Sequence, residues 1–163
     1  MLGNDGGNDV DDSRYAKLEL VEKVSPSLSL RDALYLAEEL PFGKSTGRRI
    51  LVVEDEACIA QTLRFNLERL GYLVWEAPDG REAIELAFKQ KPHLILMDIM
   101  LPYVDGFQAT AAIRSQMNIP IILLTAKDSE HDKIVGFEAG ACDYITKPFV
   151  LADLMKRVQS YLT

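Results

Sequence analysis

His93-Leu94-Ile95-Leu96-Met97-Asp98-Ile99-Met100-Leu101-Pro102 is the stretch from which the fold of this 163-residue chain can be read. Between Pro92 and Pro102 nearly every position is apolar, without the alternation of a strand that has one wet face. Continuous apolar strands are what a parallel sheet needs when helices cover both of its sides. Asp98 ends the run. A carboxylate at the end of a buried strand costs free energy unless a cation or hydrogen-bond donors meet it, so partners for it are expected elsewhere in the sequence.

Working outward, the same kind of short strand recurs, each followed by a helical periodicity. Ile50-Leu51-Val52-Val53 leads through Glu54-Asp55-Glu56 into a helix with Ile59, Leu63, Leu67 and Leu70 about a turn apart, closed by Gly71 as a C-terminal cap. A strand over Tyr72 to Ala77, a turn at Pro78-Asp79-Gly80 and a helix through Ala83, Ile84 and Ala87 lead back to the opening stretch. Downstream, the pattern predicts a helix from Phe107 to Gln116, a strand Ile121 to Thr125 and a helix around Ile134 to Ala139. A strand Tyr144 to Thr146 and a helix Leu151 to Tyr161 complete it. Five strands alternating with five helices on short connections predict an α/β fold: a doubly wound, five-stranded parallel sheet with helices on both faces.

The flanking sequence is of a different kind. Residues 1–13 are rich in Gly, Asn and Asp and read as a disordered acidic tail. Residues 14–48 form an N-terminal extension, ambiguous between helix and strand as far as Val24. Ser29-Leu30-Arg31-Asp32 is a candidate capping box for a short helix with Leu30, Ala33, Leu34 and Ala37 on one face. Gly43 to Gly47 reads as a linker; the order of Gly and Lys there is wrong for a phosphate-binding loop. The domain proper is then 49–163.

Composition excludes several classes. The net charge is −7, of which four charges come from Asp5, Asp9, Asp11 and Asp12, and the remainder shows no basic stripe; direct nucleic-acid binding is not expected. No apolar run approaches the roughly 20 residues of a membrane span, and an acidic start is the opposite of a signal peptide's basic lead. Two cysteines, Cys58 and Cys142, lack metal-ligand spacing and are expected to be small buried residues in the reducing cytoplasm.

In a doubly wound sheet the ligand site lies beyond the carboxyl ends of the strands, where the winding reverses. The strand ends here carry Glu54 and Asp55, then Asp98, then Thr125, then Lys147. Three convergent carboxylates repel one another and call for a hard divalent cation, and Mg²⁺ takes carboxylate, carbonyl and water oxygens. With the metal present, Asp98 is a tolerable neighbour for an incoming phosphoryl group, and carboxylates act as nucleophiles that form aspartyl phosphates. Lys147 can pair with one phosphoryl oxygen, and the Thr125 hydroxyl can hydrogen-bond another.

These motifs resemble the receiver domain of two-component response regulators. The resemblance is carried by Leu51-Val52-Val53-Glu54-Asp55-Glu56, by Met97-Asp98-Ile99-Met100-Leu101-Pro102 with Asp105-Gly106, by Leu124-Thr125-Ala126, and by Gly140-Ala141-Cys142-Asp143-Tyr144-Ile145-Thr146-Lys147-Pro148-Phe149. It spans Arg49 to about Leu162 and leaves the first 48 residues unmatched. It implies a flavodoxin-like strand order 2-1-3-4-5 and Asp98 as phosphoacceptor. Mg²⁺ would be held by Glu54, Asp55, Asp98 and the Met100 backbone carbonyl, with Thr125 and Lys147 on the phosphoryl group. It further implies Tyr144 as a switch aromatic that moves inward with Thr125, and a cis Lys147–Pro148 bond. A sensor histidine kinase or phosphotransfer protein would be the donor, and the face of the fourth helix, fifth strand and fifth helix a homodimer surface. One departure is Glu54, where the family most often has Asp; another is Cys142, where an acidic residue is common.

Other readings compete. A metal-dependent aspartyl-phosphate phosphatase would place its nucleophile after the first strand, and a flavin phosphate would be repelled by Glu54 and Asp55. A receiver separated from the DNA-binding output domain of a transcriptional regulator is equally compatible with a sequence that stops after the fifth helix. His93 and His131 are expected to be surface or satisfied loop residues, and Trp75 a packing residue.

Overall fold

The computed structural model describes residues 44–163. The acidic tail, the capping box at Ser29 and the Leu30 to Ala37 stripe lie outside the described residues. The elements are β1 (Arg49–Val53), α1 (Ala57–Arg69), β2 (Leu73–Ala77), α2 (Gly80–Gln90), β3 (Leu94–Met97) and α3 (Gly106–Arg114). They continue with β4 (Ile121–Thr125), α4 (Glu130–Ala139), β5 (Asp143–Thr146) and α5 (Leu151–Leu162). All four strand pairings are parallel, in the order β2-β1-β3-β4-β5.

The unbroken apolar runs are explained by two cores, one on each side of the sheet. Ile50, Val52, Leu94, Leu96, Ile122 and Leu124 point to one side and pack with Leu63, Leu67, Leu154 and Val158 of α1 and α5. The alternate residues Leu51, Val53, Ile95, Met97, Ile121 and Leu123 point to the other side, against Ala83, Ala87, Ala109 and Ile113 of α2 and α3. Successive side chains of a strand leave on opposite faces, so a strand buried on both faces has no position left for a polar residue. Each fully buried aliphatic side chain contributes about 1.5–3 kcal/mol.

Several boundaries differ from the sequence expectation. α4 begins at Glu130 rather than near Ile134. Its first turn is entirely polar, so apolar spacing misses it, and the start is set instead by Ser129, whose Oγ accepts the Asp132 N–H at 3.0 Å. α3 starts at Gly106 and ends at Arg114, inside the predicted Gln116; a capping box joins Asp105 and Gln108 at its start. Asp98 lies one residue past β3, still tied to the sheet through its N–H on the Val53 carbonyl at 3.0 Å. Gly71 follows α1 at φ +90°, with Gly71 N–H on Glu68 O and Tyr72 N–H on Leu67 O. That paired bonding is the Schellman form of helix end. His93 is a satisfied loop residue whose Nδ1 accepts the Arg49 N–H at 2.9 Å. The cysteines depart from expectation: both are exposed, Cys58 on the outer side of the first turn of α1 and Cys142 just before the edge strand β5.

Candidate functional site

The winding reverses between β1 and β3, which are neighbours in the sheet although β2 lies between them in sequence. Their register places Val53 opposite Met97. The next residue on each strand, Glu54 and Asp98, therefore meets the other at the sheet's carboxyl edge. On the other side Thr125 pairs with Thr146, which puts Lys147 next in line, with its N–H on the Thr125 carbonyl at 2.7 Å. Topology and register alone thus gather residues that are up to 93 positions apart.

The side chains converge closely. Lys147 Nζ lies 2.6 Å from Glu54 Oε2 and 3.1 Å from Asp98 Oδ2, and both carboxylates are buried. Asp98 Oδ1 accepts the N–H groups of Ile99 at 2.7 Å and Met100 at 3.3 Å. Asp55 is exposed, and carboxylate oxygens of Glu54, Asp55 and Asp98 lie within 4.8 Å of one another. One ammonium faces three carboxylates, so the set keeps an excess of negative charge and of oxygen donors. That donor set fits a hard divalent cation such as Mg²⁺. The Met100 carbonyl accepts no hydrogen bond among the described residues.

The electrostatics follow from burial. Burial pushes the Glu54 carboxyl up to about 7; the Lys147 ammonium pulls it back, and the Asp98 charge adds to the rise. For Lys147, burial alone favours the neutral amine, but its bonds to Glu54 and Asp98 outweigh that and hold it above its ordinary value. The ammonium therefore stays charged, as compensation of two buried carboxylates requires.

Thr125 is fully buried at the end of β4, where its Oγ1 accepts the Lys127 N–H at 3.3 Å and keeps its own proton to donate. Tyr144 is half-buried, and its hydroxyl donates to the Lys127 carbonyl at 2.6 Å. The two side chains singled out as a switch are thus joined through the peptide groups of Lys127, a residue that sequence reasoning passed over. Only its position two residues after Thr125 hinted at such a part. Burial, with the charges of Asp132, Asp128 and Asp98, pushes the Tyr144 hydroxyl up to about 12, so it remains a donor. The Tyr144 ring packs over Gly136 of α4, where an added Cβ would come within 3.1 Å of it. Lys147–Pro148 is cis, as expected. Trp75 packs against the core on β2, and His131 takes no part in the site.

The loop after β3 is shaped by close backbone approach. A Cβ on Gly106 would lie 2.1 Å from the Asp98 carbonyl oxygen, and one on Gly80 would lie 2.0 Å from the Val104 oxygen. Between them Met100 and Tyr103 stand out at 60% and 82% exposure, and Tyr103 is held at φ +68°. A hollow of about 380 Å³ is lined by Ile99, Met100, Leu101, Asp105 and Lys127, from the loops that follow β3 and β4.

Strand order and the acid–lysine constellation at the switch point define the class: a doubly wound α/β module in which an ammonium and three carboxylates meet at the sheet's carboxyl edge. The response regulator receiver domain profile matches residues 50–159, and the chain belongs to that family. Among solved structures it is similar to the BeF3-activated N-terminal receiver domain of RstA from Klebsiella pneumoniae. Identity there is 36% and TM-score 0.68, over 71% of this chain and 98% of that one. It is also similar to the receiver domain of the sensor histidine kinase PA1611 from Pseudomonas aeruginosa, described with a magnesium ion coordinated in the active-site cleft, at 39% identity and TM-score 0.66 over 72% and 98%. A third is chemotaxis protein CheY4 from Vibrio cholerae, at 34% identity and TM-score 0.67 over 71% and 99%. This chain is thus a receiver domain of two-component signalling. No helix among the described residues is long and apolar enough to cross a membrane.

Proposed function

We propose that the domain accepts a phosphoryl group on Asp98 from the phosphohistidine of a sensor histidine kinase or phosphotransfer protein in the cytoplasm, and signals by changed protein contacts. The observation that carries this reading is the junction of Glu54, Asp98 and Lys147 at the switch point, with Asp55 open beside them. Glu54, Asp55, Asp98 and the Met100 carbonyl are the residues that would hold Mg²⁺. When bound, the ion neutralises charge on the phosphoryl oxygens.

The chain's own residues do the rest. A carboxylate oxygen of Asp98 forms the new P–O bond while the P–N bond to the donor imidazole breaks, the electron pair returning to the ring nitrogen. The Ile99 and Met100 N–H groups fix the orientation of Asp98. Lys147 pairs with one phosphoryl oxygen and the free proton of Thr125 reaches another. Drawing Thr125 toward that oxygen alters its bond to Lys127, and through the Lys127 carbonyl it alters the seat of Tyr144. Phosphorylation then shifts a two-state equilibrium by its differential contacts. The surface that reports the shift is the face of α4, β5 and α5, where Ile134, Phe137, Val150 and Tyr161 are exposed, and a second copy or another protein docks there.

The test is uptake of phosphoryl from acetyl phosphate, with and without Mg²⁺. Wild type acquires a phosphate on Asp98 only when the metal is present, and Asp98→Asn acquires none. Unchanged uptake by Asp98→Asn overturns the assignment. Steady turnover of small phosphate monoesters would favour a phosphatase instead.

A further inference from the structure

At the amino edge of the sheet, the end opposite Asp98, cations gather without carboxylates. Arg48 precedes β1 and Arg49 opens it, and the chain reaches them through Thr46, whose N–H and hydroxyl donate to the Gly71 carbonyl at 3.0 and 3.2 Å. The Arg49 guanidinium closes the end of α2, donating to the Gln90 carbonyl at 2.9 Å and the Lys91 carbonyl at 3.0 Å. The exposed Lys91 thus belongs to the same corner. His93 completes it: its N–H donates to the Arg49 carbonyl at 2.7 Å, and its Nδ1 accepts the Arg49 N–H at 2.9 Å.

Helix-end carbonyls account for Arg49. They do not account for Arg48, or for Lys44 two residues before Thr46, both of which are exposed. Neither these two nor Arg49 and Lys91 make an ion pair among the described residues. Glu68 and Glu76 of the adjoining α1 and β2 are paired with Arg64. Burial first, and then the Arg49 and Arg48 charges, hold the His93 imidazole below its ordinary value. Burial raises the Tyr72 hydroxyl, and the Arg48 charge pulls it back. Like charges grouped within a Debye length repel one another, and an anion placed among them relieves the repulsion.

The same chain carries such an anion. Residues 1–43 hold nine carboxylates against four cations, and Asp5, Asp9, Asp11 and Asp12 come before the first of those cations, Arg14. This segment joins the domain at Lys44, beside the cluster. The thirty residues between Ser13 and Lys44 can span up to about 100 Å, so reach does not keep the aspartates away. Attachment makes the encounter intramolecular, at an effective concentration on the order of millimolar, and ion pairs too weak to join separate molecules then suffice. We infer that the segment from Asp5 to Asp12 docks on the amino edge against Lys44, Arg48 and Lys91, as a built-in counter-charge that shields this face from acidic protein partners. Asp98 lies at the other edge and stays open to its donor.

The test uses the full chain and its only two histidines. His93 sits inside the cluster, and His131, in the first turn of α4 at the opposite edge, is the internal control. Proton NMR titration compares wild type with a variant carrying Asp5→Asn, Asp9→Asn, Asp11→Asn and Asp12→Asn together. At low salt the neutral tail should lower the His93 midpoint by about 0.3, as one or two lost charges within a Debye length do, and leave His131 unmoved. In about 0.5 M NaCl the difference should vanish. In a background of Arg48→Ser and Lys91→Ser, neutralising the tail should no longer move His93. Equal His93 midpoints in wild type and the tail variant at low salt overturn the contact, as does an equal shift of both histidines. A His93 difference that grows with protein concentration seats the tail on a second copy and overturns the intramolecular contact.

Discussion

Replacing Gly106 with alanine adds one methyl group where the chain has left room for none. The added Cβ would lie 2.1 Å from the Asp98 carbonyl oxygen and 2.6 Å from the Ile99 Cα, both backbone atoms that no rotamer change can withdraw. To reach 3.0 Å, the closest approach real Cβ atoms make, the Asp98 carbonyl and the first turn of α3 must part by about 0.9 Å. The Gly106 N–H to Ile99 carbonyl bond, 2.8 Å now, is the first casualty. Overpacking of this kind costs about 1–3 kcal/mol, and the lost bond about 0.5–1.5 more. The helix propensity of alanine over glycine returns at most about 1 kcal/mol. A net loss of about 0.5–3.5 kcal/mol follows, and with a urea m-value of about 2 kcal/mol/M the midpoint falls by about 0.25–1.75 M. Because Ile99 and Met100 orient Asp98 through their N–H groups, Mg²⁺ affinity and acetyl phosphate uptake should fall with it. Urea unfolding followed by circular dichroism is the assay. A midpoint within 0.25 M of wild type, about 0.5 kcal/mol at that m-value, refutes the claim that this contact sets the loop.

Four further outcomes follow from other contacts. Asp105→Ala removes the side-chain acceptor of the Gln108 N–H in the capping box at α3 and should cost about 1 kcal/mol in the same unfolding assay. Tyr103→Asn places a residue that tolerates φ > 0 at φ +68°, and since Tyr103 buries little, stability should rise by about 0.5–1 kcal/mol. Arg157→Ala breaks an ion pair in which one guanidinium nitrogen donates to both Asp143 oxygens, but with the arginine half exposed the loss should stay below about 1 kcal/mol. His93 is held below its ordinary 6.5 by burial and by the Arg49 and Arg48 charges. The folded state therefore binds fewer protons than the unfolded one, and this contribution to stability is complete above about 6.5 and lost as pH falls below it. Glu54 contributes with the opposite sign between 4.5 and about 7, so the measurement is the difference between wild type and His93→Asn, which should shrink on acidification.

The strand pattern was legible because burial on both faces writes itself into composition. Ile50 to Val53 and Ile121 to Thr125 admit no other environment, and the strand ends then named Glu54, Asp98, Thr125 and Lys147 without recourse to coordinates. What stayed hidden depends on distance or on backbone. The first turn of α4 is polar and announces itself only through Ser129. Lys127 bonds Thr125 and Tyr144 through its peptide groups, which any residue but proline would offer. That Lys147 lies closer to Glu54 than to Asp98 is a matter of distances that residue identities do not carry. The cysteines misled because cysteine is among the most buried residue types on average, whereas Cys58 and Cys142 sit on an outer helical turn and beside an edge strand.

The peptide link at Lys127 has a consequence for variation. Since the proposed switch would couple Thr125 to Tyr144 through only an N–H and a carbonyl of residue 127, the side chain there would be free to vary. Lys127 also lines the hollow formed with Ile99, Met100, Leu101 and Asp105, so a substitution there would change that surface while keeping both peptide groups. On the proposed switch, partner choice and signal transmission would be stored in different atoms of one residue, and selection could tune the first without erasing the second.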